Sequence, residues 1–321
     1  MKLTPVSFGT VLALTLITLH PATSFAANRS APADIVPPAV IERVQLPAWI
    51  ERNGVRHPVT PGIVLKQNDR IITGEKARIL LTLVEGSKVK LGENAELNLD
   101  IFETQEENKG YFLKSVLNVA KGAFRFTTDA ASKIISRRNI SVRFSTVTVG
   151  IRGTDLWGKQ ADDKEIVCLI EGKIEVNRML DGKATDPVTL DQALQFYIAP
   201  TDKPTLPIAK VSDEQLGKWA ADTEIGVGTG SLTNGGAWKV TLAAPVDLVA
   251  AFDLRDSLRK QGYPAEVSPA LTKGTRVYAV VIASLSSQAD AEAIAALLGP
   301  AMNLKPTIGQ QRPKKGVARV Y

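Results

Sequence analysis

The sequence predicts two folded domains of different class: an N-terminal all-β domain, built as a sandwich or roll, and a C-terminal α+β domain of order βαββαβ. Three observations carry this. Between about Trp49 and Ile198, short stretches of period-two alternation are separated by turn signals, with no helical period of useful length. From Trp238 onward, strands and amphipathic helices alternate. Between the two regions, Gly226–Gly236 has the Gly, Ser, Thr and Asn composition of a flexible linker. At 321 residues, 44% of them hydrophobic and 22% charged, the chain is long enough for two cores.

Residues 1–26 read as an address. Lys2 supplies a short positive region, and Val6–Leu19 is largely apolar but too short for a span of ~20 residues. Pro21 breaks it, and Ser24-Phe25-Ala26 places small residues where a signal peptidase cuts, so cleavage is expected after Ala26. No cysteine stands there to take a lipid, and no later apolar run is long enough to span a membrane. The expectation is an exported, periplasmic protein with no transmembrane segment, which makes nucleic acid an unsuitable partner.

Residues 27–45 are rich in Ala, Pro and Ser and read as a loose lead. The β domain is expected over 46–200. Asn53-Gly54 suits a type I′ hairpin, and Glu85-Gly86, Gly92, Lys121-Gly122, Glu171-Gly172 and Asp181-Gly182 punctuate further strands. Lys88–Leu91, Ala95–Leu99, Ala123–Phe126 and Ile174–Val176 alternate between them. Residues 201–236 combine a Pro-rich stretch, a short helix and the Gly-rich linker. The helix is expected from Asp213 to about Asp222, because Ser212 and Gln215 form a capping box and Val211 and Leu216 a hydrophobic staple.

The C-terminal domain is expected over 237–309. Trp238–Leu242 alternates as a strand. Asp247 caps a helix with Leu248, Ala251, Phe252, Leu254 and Leu258 as its apolar positions, stopped at Gly262. Strands follow at Ala265–Ser268 and Val277–Ile282. Ser286 or Ser287 caps a second helix carrying Ala289, Ala293, Ile294, Leu297 and Leu298, stopped by Gly299-Pro300. A last strand fits Asn303–Ile308, and 310–321 is a basic tail. The pattern implies one antiparallel sheet with both helices on one face.

Composition narrows the chemistry. One cysteine rules out an intrachain disulfide and a Cys-based zinc site. With His20 in the leader, His57 is the one histidine left, so His-rich metal sites and HExxH chemistry are excluded. His57, beside the Asn53-Gly54 hairpin, is expected in solvent. Cys168 lies in the apolar run Ile166–Ile170 and is expected to be buried and inert. Arg152 and Asp155 could form an ion pair or supply an acid; a turn, with Gly153 at positive φ and Asp155 bonding local amides, accounts for the same residues. The basic residues Lys133, Arg137, Arg138 and Arg143 read as a solvated face, and the four tryptophans as packing. No carboxylate pair stands out, and no metal or other cofactor is expected. The net charge of +6 suits anionic surroundings without naming a ligand.

Five motifs in order give the β region a family resemblance. They are Gly62 with Asp69-Arg70-Ile71-Ile72-Thr73-Gly74, then Glu85-Gly86-Ser87-Lys88-Val89-Lys90-Leu91-Gly92, then Lys121–Phe126, then Val147–Asp155, and last Glu171–Val176. Together they resemble the FecR domain across roughly residues 50–200. Classical FecR proteins are membrane-spanning regulators of a sigma factor. The resemblance here is to the periplasmic β module, so it implies a binding or scaffolding unit whose partner would be another envelope protein. The C-terminal region resembles a SPOR domain over about 238–308, on Trp238–Leu242, Gly262–Ala265 and Tyr278–Ser287 followed by Ala289 and Ala291.

SPOR domains bind septal peptidoglycan, on glycan strands stripped of stem peptides, through the open face of the sheet. By strand alternation Trp238, Val240, Leu242, Tyr278, Val280 and Ile282 should face the helices. Lys239, Thr241 and Ala243, with Val277, Ala279 and Val281, should form the open face, and Lys239, Thr241, Val277 and Ala279 are the glycan-binding candidates. Thr241 stands where the family usually has Gln, and Ala279 where it often has Arg; both shorten the polar reach of the face. The reading is therefore a non-enzymatic envelope scaffold: the SPOR-like domain tethers a FecR-like recognition domain to peptide-poor glycan strands through a flexible linker. The alternative is a periplasmic protein–protein adaptor or signalling component whose sheet does not bind glycan. A wall hydrolase would require a catalytic pair that neither resemblance supplies.

Overall fold

One 18-residue strand, Gly110–Thr127, serves two sheets and organises the N-terminal domain. The computed structural model describes residues 38–107, 110–129 and 137–311; the expected leader at 1–26 and the tail from 312 on lie outside the described residues. The strands, in chain order, begin β1 (Ala39–Gln45), β2 (Ala48–Arg52), β3 (Val55–Pro58), β4 (Arg70–Thr73), β5 (Arg78–Leu83), β6 (Lys88–Leu91), β7 (Glu96–Glu107) and β8 (Gly110–Thr127). They continue β9 (Arg137–Arg143), β10 (Val147–Ile151), β11 (Asp155–Gln160), β12 (Lys164–Glu171), β13 (Ile174–Leu180), β14 (Lys183–Ala184), β15 (Val188–Leu190), β16 (Gln195–Pro200) and β17 (Ala209–Lys210). The helix α1 (Asp213–Ala221) and the strand β18 (Ser231–Thr233) follow. The C-terminal domain runs β19 (Trp238–Ala243), α2 (Leu248–Lys260), β20 (Glu266–Thr272), β21 (Thr275–Leu285), α3 (Gln288–Ala301) and β22 (Thr307–Gln310).

The first part of β8 pairs with β7 and, in parallel, with β9; its last residues pair with β6 and β11. The corner between these two parts is Gly122, at φ +84, where a Cβ would stand 2.6 Å from Ala95 Cα. Lys121-Gly122 is thus a kink within one strand that changes sheets, not the turn its sequence suggested. One sheet runs β1-β5-β6-β8-β11-β12-β16-β17, the other β3-β2-β4-β7-β8-β9-β10-β13-β15. Alternate residues of both, such as Ile41, Ile79, Leu81, Leu97, Phe124, Val149 and Val176, are buried in one core.

Two expected boundaries change. The loose lead at 27–45 ends in β1, which pairs with β5 and buries Ala39, Ile41 and Val44. The flexible linker is largely built into the fold. β18 pairs with β1 through Arg43↔Thr233, Val44↔Leu232 and Gln45↔Ser231, and touches β21 at Leu232↔Leu285. One continuous ladder therefore joins the β domain to the C-terminal sheet. Gly230, Ser231, Leu232 and Gly236 are buried, and a Cβ at Gly236 would stand 2.2 Å from the Ser284 carbonyl oxygen.

The helices form for the reasons the sequence supplies. Ser212 caps α1, its Oγ accepting from the Gln215 amide at 3.2 Å, and Val211 and Leu216 join one small cluster. That cluster covers the outer side of β11, β12 and β16; in it Trp219 stacks on buried Trp157 at 4.7 Å between ring centroids. Asp247 caps α2 through the amides of Val249 and Ala250. Ser287 caps α3. Ala251, Leu258, Ile294 and Leu298 face the core, but Leu248, Phe252 and Leu297 are exposed, against expectation. Pro300 lies inside the last turn of α3 rather than ending it.

Candidate functional site

The C-terminal sheet has order β22-β19-β21-β20, with α2 and α3 packed on one side. Val240, Leu242, Val280 and Ile282 are buried on that side, as alternation requires. On the other side, register aligns Thr307, Thr241, Val281 and Glu266 in one row across the four strands. Lys239 pairs with Gly309, and a Cβ at Gly309 would lie 3.7 Å from Lys239 Cε, so the lysine stem has a flat backbone floor beneath it. Ala279 pairs with Ser268. Lys239, Thr241, Ala279 and Val281 are all half-buried. The face thus offers an ammonium, two threonine hydroxyls and a shallow apolar strip.

Two expected members are displaced. Val277 is only 6% exposed and lies outside the main core cluster, so it supports the face rather than presenting a contact. The register shifts between Thr241 and Ala243, which pairs Ala243 with buried Val280 and takes it off the row.

This domain is fastened to the β domain by groups that sequence reasoning missed. Asp290, 1% exposed, accepts the amides of Thr229, Gly230 and Ser231 on Oδ1 at 3.0–3.1 Å, and the Ser287 hydroxyl on Oδ2 at 2.6 Å. Burial opposes its ionisation, but the bonds from Ser287 and from the Ser231 and Thr229 amides outweigh it and hold the carboxyl below its ordinary range. Ser231 Oγ bonds Ser286 Oγ and accepts from Arg43. At the other end of the contact, Trp49 Nε1 donates to the Lys260 carbonyl at 3.2 Å, and the Ala48 amide to that of Gly262. Gly262 is at φ +86, and a Cβ there would stand 2.7 Å from the Trp49 ring. Of these, Gly262 was legible only as a helix stop and Ser286 or Ser287 only as a helix cap.

In the β domain the repeated motifs turn out to build the fold. Asp69 is buried in a two-pronged pair with Arg52 at 2.6–2.7 Å and accepts the Lys66 amide. Thr73 Oγ1 donates to the Gly92 carbonyl and accepts from the Ala95 amide. Asp155 takes two hydrogen bonds from Arg125 at 2.8–3.0 Å; Arg125 rather than Arg152 is its partner, and neither acid chemistry nor local amides account for it. Gly153 has φ +75, as the turn reading required. Glu224 reaches back from the connecting segment to Lys90 and Arg125.

Segments far apart in sequence meet at one rim of this domain. Thr128 exchanges hydrogen bonds with Thr154, and a Cβ at Gly172 would stand 2.9 Å from the Gly153 carbonyl oxygen. Gly86 lies against Asp129. Glu85, 8% exposed, sits here, and neither of its oxygens has a hydrogen bond of standard geometry. Burial pushes its carboxyl up, against the opposing pull of Ser87 and Arg138. Cys168 is buried and pushed up to about 12 by burial, the inert thiol expected. His57 is half-buried in β3, not a solvated turn residue. Among the described residues no group of side chains could hold a metal ion, and no helix is long and apolar enough to cross a membrane.

Residues 69–175 match the family model described as FecR protein, and residues 234–308 match the model of the SPOR domain. The chain carries a FecR domain and a SPOR domain. Both are binding or regulatory families of the envelope type, and neither is an enzyme family. No curated protein matches the chain. Among solved structures it is similar to a Parabacteroides distasonis protein described as a candidate anti-sigma factor, seen in two crystal structures. Identity is 16% and 15%, coverage 73% of this chain and 92% and 91% of those, and the TM-score is 0.36 in both. A superposition that loose assigns no function.

Proposed function

We propose that this is a non-catalytic envelope scaffold whose SPOR sheet holds it to peptidoglycan on peptide-poor glycan strands. In this reading the FecR domain is carried at a fixed orientation as the recognition part. The observation that supports it is the helix-free sheet face, where Lys239 and Thr241 stand beside Thr307 over the backbone of Gly309. Saccharide hydroxyls and amides need donors and acceptors at a shallow, partly apolar surface, and this row supplies them. The continuous ladder through β18 changes what tethering means: position on the wall also fixes where the FecR domain points.

The test is co-sedimentation of the full chain with isolated sacculi, before and after an amidase strips the stem peptides. Retention that rises after stripping, and falls when Lys239 and Thr241 are replaced by Glu and Ala, is the expected result. A folded chain that fails to sediment in either state contradicts the proposal. A second reading, a protein–protein adaptor, is favoured by the apolar half of the face and by Leu271, 76% exposed on the edge strand β20. Retention on a protein partner, with none on sacculi, is its signature.

A further inference from the structure

A groove of about 740 Å³ opens at the rim of the FecR domain where β9 and β10 lie side by side. Arg138 and Asn139 line it from β9, and Gly150, Arg152 and Gly153 from β10 and the turn beyond it. The register Ile151↔Ile140 carries Arg152 opposite Asn139 and Gly153 opposite Arg138. The side-chain bonds described above for the motifs do not involve Asn139 or Arg152.

Three features bear on what would fit. The described lining contains no carboxylate, and of its two arginines Arg138 already interacts within the domain, which leaves Arg152 as the cation the groove offers. A guanidinium fork matches the two oxygens of a carboxylate in parallel hydrogen bonds, and the neighbouring Asn139 amide can both donate and accept. Gly150 is locked in its ladders with Ser141 and Glu175, yet a Cβ there would meet nothing within 4 Å. The groove is open in part because that position has no side chain. Its volume is of the size that takes a small organic ligand or a few residues of peptide, far more than a lone ion needs.

We propose that this groove binds a short peptide through a free carboxylate, with Arg152 and Asn139 holding the anion and Gly150 leaving room for the peptide chain. The chemistry is shared by a cell-wall stem peptide and by an acidic segment of a protein. The site is in a different domain from the glycan-binding face and stands or falls separately from it.

Binding is measured by calorimetry on the full chain at low and high salt. The probes are a soluble muramyl tetrapeptide, the same peptide with its carboxylates amidated, acetyl-tetraglutamate amide, and inorganic phosphate. The expected result is saturable binding to one or both carboxylate peptides, lost on amidation and weakened by salt. Arg152→Gln should weaken it about tenfold or more, as loss of a charge-assisted bond does. Gly150→Val should block it with thermal stability unchanged, because the added side chain enters open space. Preference between the two peptides identifies the source. Absence of saturable binding to either, indifference to both variants, or equal competition by phosphate would overturn the proposal. Sacculus retention of both variants should stay at the wild-type level, which keeps this test distinct from that of the glycan-binding face.

Discussion

The domain junction and the rim of the FecR domain each bury a carboxylate, and the two carboxylates have opposite surroundings. Asp290 at the junction has three backbone amides and a hydroxyl pointed at it, and its ionised form is favoured. Glu85 at the rim has no hydrogen bond of standard geometry to either oxygen, and its neutral form is favoured. Burial opposes ionisation of both; at Asp290 the donors already in place outweigh it, and at Glu85 they do not. The junction is a finished structural contact. The rim is a place where polar groups are left under-satisfied beside a groove.

The largest effect that would break this contrast is at Asp290. Asp290→Ala strips the acceptor from three amides at once and should cost about 3 kcal/mol in chemical or thermal unfolding. A loss below about 1 kcal/mol would mean the junction does not depend on it. Next comes Gly262→Ala, which forces a Cβ against Trp49 at a left-handed φ and should cost about 2 kcal/mol. Trp219→Ala removes the stack on Trp157 and should cost about 1–2 kcal/mol, with α1 becoming more sensitive to protease.

The smallest effect sharpens the contrast by its sign. The folded pKa of Asp290 is lowered, so its stabilisation is complete above the unfolded value of ~3.9 and is lost as pH falls through the folded pKa. The folded pKa of Glu85 is raised, so stability from this group is recovered as pH falls through that pKa and is weakest above it. Glu85→Gln should therefore add about 1 kcal/mol at neutral pH, a gain that disappears in acid where the wild-type carboxyl is already neutral. A gain that persists at low pH would contradict the assigned cause.

Legibility in the sequence followed the range of the interactions. Local signals held: Ser212, Asp247 and Ser287 cap their helices, and period-two alternation found the buried faces of β6, the start of β7, and β13. Composition misled where a tertiary contact decided. The stretch 226–236 has linker composition, yet its glycines serve close backbone packing and its amides have a buried acceptor 60 residues away. Lys121-Gly122 carries a turn signal, but a turn and a sheet-switching kink ask the same positive φ of glycine. Asp155 found a partner on a neighbouring strand, Arg125, that spacing along the chain could not reveal. The helix-free face was legible from alternation through Lys239, Thr241 and Ala279; the bulge that removes Ala243 and the burial of Val277 were not.

The account rests on the two domains being one body joined through β18, and hydrogen exchange of the full chain tests that most directly. The amides of Thr229, Gly230 and Ser231, held by Asp290, should exchange as slowly as the core strands β1 and β5, and faster in Asp290→Ala. Exchange of these amides at the rate of an unstructured linker, in an otherwise folded wild-type chain, would contradict the account and restore a flexible tether.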